Sequence, residues 1–420
     1  MLGRLKLSKP TRSLHLSEIT ERVDGYWSSS AQADQPGRVD RPVRVVVAVP
    51  GLTAGGCERA VSLIVNAWAA RGWDVTLITL ERADVPPYFA IAPSVKIVRL
   101  GIPPDQMGPF RAAWHFANRV RLLRREFLRL SPDVVISFLT RMNIQSILAS
   151  LGTDIPVVVS ERNNAALQTT GPAWAWLRRH LYPRAAGLVT MTKGAMSQFP
   201  PNQRTRRWVI PNEASVPSGS SVRSGQKTLT AVGRLVPQKG FDLPLETFAA
   251  ISGAHPDWKL VIWGEGPERA RLERGRDELG LAGSVRLPGV TERPGLWIET
   301  AGVFVLSSRY EGWGNVLSEA MAAGLPVVSF DCQFGPNEMI TNEEDGLLVP
   351  NGDINALSVA LSRLFKDEAL RERLGEAAAI SARRFTHERV MTGWGQVVQS
   401  TLQHNQRHRR LDRFGAQQIG

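Results

Sequence analysis

Residues 44–80 read RVVVAVPGLTAGGCERAVSLIVNAWAARGWDVTLITL, and this stretch decides the fold class. An apolar run leads through the glycine pair Gly55–Gly56 into a helical pattern, and a second apolar run follows at WDVTLITL. Strand, glycine loop, helix and strand in this order open a βαβ unit. Because continuous Val- and Ile-rich strands are buried on both faces, the stretch predicts a parallel sheet covered by helices.

The same alternation continues along the chain and restarts after a polar connection. The further apolar runs are VKIVRL, DVVISFL, PVVVS and GLVTM before the connection EASVPSGSSVRSGQK, and TLTAVGR, WKLVIWGEG, SVRLPGV, GVFVLSS and PVVSF after it. We therefore expect an α/β protein with two doubly wound, Rossmann-like domains at residues 41–212 and 228–385, joined by the linker 213–227. Domains of this class bind ligands at the carboxyl ends of their strands.

Three segments lie outside the two predicted sheets. Residues 1–40 show no sustained periodicity, so we expect a loosely ordered extension. A final helix is expected at residues 386–403, and the polar, basic tail 404–420 is expected to fray.

The amino-acid composition excludes several classes of protein. Of 420 residues, 43% are hydrophobic and 21% charged, which argues against a disordered, collagen-like or coiled-coil chain. The two cysteines, Cys57 and Cys332, lie far apart and in no CxxC pattern, so neither a disulfide scaffold nor a zinc site is supported. No apolar run approaches the roughly 18–20 residues that span a bilayer. These features predict a cytoplasmic protein.

The net charge of +12 is unevenly distributed. Residues 1–212 hold 28 basic and 14 acidic side chains, whereas residues 213–420 hold 23 and 25. In residues 110–130, six arginines accompany the single acid Glu126, and we expect a helix with one apolar side (Trp114, Val120, Leu123, Phe127, Leu130) and one cationic side. Such a helix is either a solvated helix on a sheet or one that contacts anionic lipid. No nucleic-acid-binding motif accompanies the basic charge.

Five glycine-containing motifs follow predicted strands. In AGGCER (54–59), paired glycines let backbone N–H groups approach an anion at a helix start, although a tight turn without a ligand has the same pattern. In GRLVPQKG (233–240), Arg234 and Lys239 can reach one diphosphate from two sides. The turn WGEGP (263–267) carries Gly264.

The remaining two motifs carry acids. RYEGWGNVLSEAMAAGLPVV (309–328) places Glu311 in a loop and Glu319 about one turn into a helix that starts near Asn315. DCQFGPNEMI (331–340) follows the next strand and carries Gly335, Pro336 and Glu338. Two carboxylates around a glycine-rich helix start suggest one ligand whose hydroxyls and phosphates are both bound here.

Together, GRLVPQKG, WGEGP, SSRYEGWGNVLSEAMAAGLPVVSFDCQFGPNEMI (307–340) and DGLLVP (345–350) resemble the retaining glycosyltransferases of family 4. The resemblance covers about residues 43–400, and its most specific part is the Glu-x7-Glu element from Glu311 to Glu319. It implies a GT-B fold, in which two Rossmann-like domains face a central cleft and the final helix crosses back to the first domain. It also implies a nucleotide-diphosphate sugar as donor.

The resemblance also implies site roles. Arg234 and Lys239 would bind the diphosphate, Glu319 the nucleotide ribose and Glu311 the transferred sugar. Further implied substrate contacts come from Gly55, Gly56, Gly264, Val290, Gly314, Asn315 and Val316. The chain contains no Asp-x-Asp, which fits cationic side chains in place of a divalent metal and predicts no metal and no cofactor.

One motif departs from the family pattern. Many members carry a His after the strand that corresponds to PVVVS, but here Glu161, Arg162 and Asn163 follow it in SERNNAAL. This SERN element resembles a bacterial subset that assembles surface polysaccharide or lipid-linked oligosaccharide, often adding hexoses or N-acetylhexosamines. Either Glu161 and Arg162 form a structural pair, or Arg162 and Asn163 line the donor or acceptor pocket.

In this fold the first domain receives the acceptor. Its positive charge suits a polyprenyl-diphosphate-linked glycan at the inner face of the cell membrane, and Trp174, Trp176 and Leu177, beside Arg178 and Arg179, could contact headgroups. A GT-B-like sugar-nucleotide epimerase and an inactive glycan- or nucleotide-binding subunit remain alternatives. We expect an epimerase to place acids and His for proton transfer in the cleft rather than a Glu-x7-Glu element.

Overall fold

The structure, a computed structural model, describes residues 41–417 except 54, 103–108, 164–170, 202–204, 218 and 294. For residues 109–111 and 406–417 it describes the backbone alone. The predicted extension at residues 1–40 lies outside the described residues.

The first domain contains a seven-stranded parallel sheet with the strand order β3-β2-β1-β4-β5-β6-β7. Its strands are Arg44–Ala48 (β1), Asp74–Thr79 (β2), Lys96–Arg99 (β3), Val134–Phe138 (β4), Val157–Ser160 (β5), Gly187–Thr190 (β6) and Arg206–Val209 (β7). Its helices are Gly56–Ala70 (α1), Pro109–Leu130 (α2), Thr140–Ser150 (α3), Pro172–Leu181 (α4) and Lys193–Ser197 (α5).

The second domain contains a six-stranded parallel sheet with the order β10-β9-β8-β11-β12-β13. Its strands are Thr228–Val232 (β8), Lys259–Trp263 (β9), Val285–Gly289 (β10), Val303–Leu306 (β11), Val327–Asp331 (β12) and Leu347–Pro350 (β13). Its helices are Asp242–Ser252 (α6), Arg269–Glu278 (α7), Leu296–Thr300 (α8), Asn315–Ala322 (α9), Pro336–Met339 (α10), Ile354–Lys366 (α11) and Glu368–Ala382 (α12). The two sheets confirm the predicted pair of doubly wound domains.

Hydrophobic periodicity explains why these elements form. All five residues of β4 are buried, as expected for a central parallel strand covered on both faces. In α1, Val61, Ile64, Val65 and Trp68 are buried at three- and four-residue steps, so one side of the helix packs on the sheet. In both sheets the strand order reverses at the centre, between β1 and β4 and between β8 and β11. Ligands of doubly wound sheets bind at these switch points.

The last helix, His387–Gln417 (α13), returns to the first domain. Trp394 packs between Trp68 of α1 and Phe138 of β4, with ring centroids 6.4 and 5.6 Å apart. The helical backbone continues to Gln417, past the predicted end at residue 403, whereas the expected fraying of the tail stays a prediction. No glycine or proline occurs between Gly395 and Gly415 to end the helix.

The prediction for α2 needs one correction. The buried stripe runs through Phe116, Val120, Leu123 and Phe127, whereas Trp114, predicted on the apolar side, is 64% exposed. Six residues separate Trp114 from Val120, which places the two side chains roughly 120° apart around a helix. The single acid Glu126 is buried and pairs with Arg125 and Arg129.

Two short edge strands were not predicted. β7 has the sequence RRWV and half-buried side chains, and β13 has the sequence LLVP, which ends in proline, so neither has the continuous apolar pattern that identified the other four-residue strands. Among the described residues, no helix combines the length and the apolar character that a membrane crossing requires.

Candidate functional site

Two helix N-termini meet where the domains face each other. α1 begins at Gly56 and α9 at Asn315, each preceded by a glycine, Gly55 and Gly314. A Cβ atom on Gly56 would lie 2.4 Å from Nδ2 of Asn315, so the two helix starts are close together and a side chain at position 56 would displace the Asn315 amide. Asn212 Nδ2 donates to Asn315 Oδ1 at 2.7 Å. Unpaired N–H groups and the helix dipole make each N-terminus partly positive, so the cleft presents two anion-binding ends.

The loops after β8 and β11 add a buried ion pair. Lys239 Nζ lies 2.6 Å from Glu311 Oε1, and Ser308 Oγ donates to the same oxygen at 2.6 Å. The side chains of Lys239 and Glu311 are 17% and 6% exposed. A buried pair of this kind is stabilised by its geometry and its extra hydrogen bond, and losing either partner leaves a costly uncompensated charge. Two sequence-predicted site residues are therefore in direct contact.

Arg234 lies in the same loop as Lys239 but is exposed. Its guanidinium acts electrostatically on Glu58 in the first turn of α1, across the cleft. Burial raises the pKa of Glu58, and the positive charge of Arg234 opposes that shift. Arg234 thus places a positive charge beside the N-terminus of α1.

The turn after β9 brings two strand ends close together. Gly264 has φ +138°, and a Cβ atom on it would lie 1.9 Å from the carbonyl oxygen of Gly233. Only glycine allows this approach, because any side chain would collide with backbone. The Gly264 N–H donates to the Gly289 carbonyl at 2.8 Å, and the next residue, Val290, is 67% exposed. Both predicted residues therefore lie at the carboxyl edge of the second sheet.

Glu319 is buried and forms a contact that the sequence analysis missed. Arg59 of α1 donates from Nη1 to Glu319 Oε1 and from Nη2 to Ser215 Oγ, the latter at 2.8 Å. Burial raises the pKa of Glu319, and the positive charge of Arg59 opposes that rise. Val316, one turn before Glu319, is half-buried. The motif AGGCER contains Arg59, but nothing in its spacing indicates a partner in the other domain.

Arg162 is 7% exposed and lies between two aromatic rings. Its Cζ is 5.3 Å from the ring centroid of Phe138 and 5.4 Å from that of Trp394, and Nη1 reaches the Ile210 carbonyl at 3.5 Å. Burial lowers the pKa of Arg162 to about 10, so it stays charged at neutral pH. The rings favour the cation but leave its Nε without a partner among the described residues.

Of the two alternatives for this segment, the structural Glu161–Arg162 pair does not form among the described residues. The Glu161 carboxylate instead accepts hydrogen bonds from Thr140 Oγ1, at 3.0 Å, and from the Tyr182 hydroxyl. Burial raises the pKa of Glu161 and, together with the nearby carboxylate, that of Tyr182. The strand turn directs the two neighbouring side chains to different surroundings, so Glu161 belongs to a buried hydrogen-bond network.

Asn163 lies against the loop that carries Glu311. A Cβ atom on Gly312 would be 2.8 Å from the Arg162 carbonyl oxygen and 3.0 Å from the Asn163 Cα. The SERN element thus forms part of the cleft wall through its backbone. The rest of SERNNAAL, residues 164–167, lies outside the described residues.

Glu338 joins the domains at a second place. Its carboxylate accepts from the backbone N–H groups of Lys193 and Gly194, both at 2.8 Å, at the start of α5. A carboxylate at a helix N-terminus is favoured by the exposed N–H groups and the dipole. The position of Glu338 after β12 was noted from the sequence, but the sequence did not indicate its partners at the start of α5.

Cys57 lies next to Arg162 in the cleft. Burial raises the pKa of its thiol to about 12, so at neutral pH it is protonated and a poor nucleophile. Within the part of the chain that the structure describes, no three His, Cys, Asp or Glu residues cluster in a way that could hold a metal ion.

A cavity of about 640 Å³ lies at the opposite edge of the first sheet, where the strands begin. Its charged side chains have structural partners: Arg41 forms a two-pronged contact with Asp133, and Arg124 donates to the carbonyls of Ala149 and Leu151. The anion-binding groups described above lie at the carboxyl ends of the strands instead, so the cleft is the candidate site.

Comparison with protein families identifies both domains. Residues 55–213 match the model described as a glycosyl transferase 4-like domain, and residues 217–380 match glycosyl transferases group 1.

Among relatives, the chain is 28% identical to an exopolysaccharide phosphotransferase of Streptomyces coelicolor over 85% of this chain, but it spans only 40% of that longer relative. It is 27% identical, over 85% of this chain and 98% of the relative, to an α-1,4-N-acetylgalactosaminyltransferase of Campylobacter jejuni named for an undecaprenol-PP-linked acceptor.

Two solved structures have the same fold. Sucrose-phosphate synthase of Thermosynechococcus elongatus aligns with TM-score 0.73 and 19% identity over 86% of this chain and 99% of its own. HepE of Anabaena, solved with UDP, aligns with TM-score 0.69 and 16% identity over 85% of this chain and 100% of its own. The chain therefore belongs to the GT-B glycosyltransferases typical of family 4 and is a transferase.

Proposed function

We propose that the protein is a retaining glycosyltransferase of bacterial cell-surface polysaccharide assembly. It moves a hexose or N-acetylhexosamine from a UDP-sugar to a lipid-linked glycan. The observation that carries the proposal is the convergence, in one cleft, of two helix N-termini with Arg234 and Lys239. Two helix N-termini, the exposed Arg234 and the ammonium group of Lys239, which also pairs with Glu311, suit the diphosphate of a nucleotide sugar.

The reaction breaks the bond between the anomeric carbon and the diphosphate oxygen. Negative charge then develops on the leaving diphosphate, and the N-termini of α1 and α9, Arg234 and Lys239 would stabilise it. The acceptor hydroxyl forms the new bond to the anomeric carbon and gives its proton to the departing diphosphate oxygen. In this proposal it attacks from the face that the diphosphate leaves, so the configuration is retained without a covalent enzyme intermediate.

The acids of the cleft take the other parts of the donor. Glu311, fixed by Ser308 and Lys239, would accept hydrogen bonds from the transferred sugar. Glu319 would accept hydrogen bonds from the ribose hydroxyls, and Gly264 and Val290 would bound the base. Metal independence is part of the proposal: Arg234 and Lys239 supply the positive charge that a divalent ion supplies elsewhere.

A donor panel tests this proposal. The protein is incubated with UDP-, GDP- and ADP-sugars, with and without an undecaprenyl-diphosphate-linked glycan, and the released nucleoside diphosphate and the products are measured with and without EDTA. We expect acceptor-dependent release from a UDP-sugar, unchanged by EDTA, and an α-linked product from an α-linked donor. Acceptor-free interconversion of UDP-sugars would indicate an epimerase, and binding without turnover would indicate an inactive subunit.

Two observations support a lipid-linked acceptor. The Campylobacter relative is named for an undecaprenol-PP-linked acceptor. In the first domain, α2 and α4 pack together through Phe116 and Trp174, and both helices expose a tryptophan, Trp114 at 64% and Trp176 at 60%. The same helices also carry the exposed arginines Arg121 and Arg179. Tryptophan with clustered arginine suits the headgroup region of an anionic membrane.

A sedimentation experiment tests membrane binding. We expect the protein to pellet with anionic liposomes at low salt and to be released at high salt, because the attraction is screened by ions. The double variant Trp114→Ser, Trp176→Ser should pellet less, whereas Val359→Ser, which changes an exposed apolar residue of the second domain, should pellet like the wild type. Equal pelleting with neutral liposomes would contradict the proposal.

A further inference from the structure

We propose that Arg59, a first-domain residue, is a positioning residue that completes the donor site of the second domain by orienting Glu319 when the cleft is closed. This inference rests on the proposed function, because it takes Glu319 as the ribose-binding group. It adds Arg59, which belongs to the first domain, whereas the Glu319 carboxylate through which it acts belongs to the second.

The geometry supports a positioning role. Arg59 uses one guanidinium nitrogen for Glu319 Oε1 and another for Ser215 Oγ, so its planar group is held at two points. The Arg59 guanidinium contacts Oε1 of Glu319, and among the described residues no group donates a hydrogen bond to Oε2. A carboxylate offers acceptor sites on both oxygens, so one oxygen can be held by arginine while the other accepts from a ligand hydroxyl.

Three parts of the chain meet at this contact. Arg59 is in the first helix of the first domain, Ser215 is in the connection between the domains, and Glu319 is in α9 of the second domain. Arg59 and Glu319 are 260 positions apart in sequence. An opening of the cleft would separate the two side chains, so Glu319 is oriented by Arg59 only in the closed arrangement.

Charge gives Arg59 a second effect on Glu319. Burial raises the pKa of the Glu319 carboxyl, and the charge and hydrogen bond of Arg59 oppose that rise. Ser215 is neutral, and α12 meets the chain just after α9 at the glycines Gly375 and Gly324. The acid next to Arg59 in sequence, Glu58, is the one on which Arg234 acts. In the described part of the chain, Arg59 therefore supplies the opposing charge. Without it, a larger fraction of Glu319 is protonated at mildly acidic pH, and a protonated carboxyl is a weaker acceptor for ribose hydroxyls.

Nucleotide binding at two pH values tests the inference. Binding of UDP, GDP and ADP is measured by isothermal titration calorimetry at pH 6 and pH 8, and the tightest-binding nucleotide is used for all variants. Arg59→Ala should weaken its binding about tenfold at pH 6 and less at pH 8, because the protonated fraction of Glu319 falls as pH rises. Arg59→Lys retains the charge but loses the two-point contact, so it should regain part of the affinity at pH 6 and still bind more weakly than the wild type. Arg82→Ala, an exposed arginine of the same domain, is the control and should bind like the wild type.

Glu319→Gln separates this inference from the function on which it rests. Glu319→Gln should weaken binding equally at both pH values, and adding Arg59→Ala should cause little further loss, because the two residues act as one unit. An Arg59→Ala loss that adds fully to that of Glu319→Gln would overturn the positioning role, and a loss that is equal at both pH values would remove the charge effect. Wild-type binding by Glu319→Gln would instead remove the ribose assignment, and no binding by the wild type would overturn the proposed function and the inference with it.

Melting temperatures distinguish these effects from unfolding. Arg59 is on the surface of the cleft and is one-third exposed, so Arg59→Ala should fold. Should its melting temperature fall sharply, the comparison of Arg59→Lys with the wild type still decides the outcome, because Lys keeps the charge and loses the two-point geometry. Lysine binding as weakly as alanine at pH 6 would exclude the charge effect.

Discussion

The two domains have similar strand orders, but the charged groups at their strand ends have different surroundings. In the second domain, Lys239 and Glu311 pair beside the cleft and Arg234 is exposed to it. In the first domain, Glu161 is buried against Tyr182 and Thr140, and Arg162 lies between two rings. The same topology brings charged residues to the same edge in both sheets, but their neighbours decide whether they face a ligand or the core. We therefore expect substitution of Lys239 in the second domain to change activity and substitution of Glu161 in the first to change stability.

The sharpest test of this difference is Lys239→Ala. We expect transfer to fall roughly 100- to 1000-fold, the loss of about 3–4 kcal/mol of transition-state stabilisation from one electrostatic group. Sugar transfer is measured by nucleoside diphosphate release and folding by thermal melting. Lys227→Ala, an exposed lysine paired with Asp257, should retain activity. Full activity of Lys239→Ala would remove the diphosphate assignment.

A smaller effect is expected where the two domains touch. Glu338→Ala removes the carboxylate that accepts from the N–H groups of Lys193 and Gly194. We expect a more open cleft, seen as a larger radius of gyration by small-angle X-ray scattering, and a roughly tenfold lower transfer rate, equivalent to about 1.4 kcal/mol. Glu278→Ala, on the exposed end of α7, is the matched control. An unchanged radius together with unchanged activity would show that this contact does not hold the domains together.

The smallest expected effect is on stability and depends on pH. Burial raises the pKa of Glu161 above its ordinary 4.5, so the folded state holds a proton that the unfolded state releases. The contribution of Glu161 to the free energy of unfolding should therefore be fully present below about pH 4.5 and be lost as pH rises through the folded-state pKa, with a limiting slope of about 1.4 kcal/mol per pH unit.

Glu161→Gln should remove this part of the slope in urea unfolding measured from pH 4.5 to 8, while transfer activity stays near that of the wild type. Asp84→Asn, an exposed acid of the same domain, controls for the charge change. A large loss of activity with an unchanged pH slope would place Glu161 in the substrate site and remove the contrast between the domains.

Sequence pattern was sufficient to predict most of the fold. Val- and Ile-rich runs identify buried strands, and their alternation with helical stretches indicates two doubly wound domains. The pattern failed for β7, where two arginines interrupt the apolar run, and for Trp114, whose angular position on the helix was misjudged. In both cases the residue type misleads: half-buried arginines pack in a strand, and a tryptophan on a helix is exposed.

The site was predicted in part. Glycine motifs at strand ends identified Gly56, Asn315, Lys239 and Glu311, because ligand-binding loops of this fold follow the strands. Their roles remain predictions until the experiments above are done. Arg59 was missed, because a basic residue in the first turn of a helix usually faces solvent and nothing in AGGCER indicates otherwise.

The sequence by itself determined the order of strands and helices, the position of the motifs at strand ends and the unequal charge of the two halves, because these depend on local periodicity and composition. Only the tertiary structure decided that Arg59 contacts Glu319, that Glu338 caps α5, and that Glu161 and Arg162 separate into a hydrogen-bond network and an aromatic cage. The partners at the two interdomain contacts are 260 and 145 positions apart. Contacts over such distances depend on how two domains meet, and no local pattern encodes that geometry.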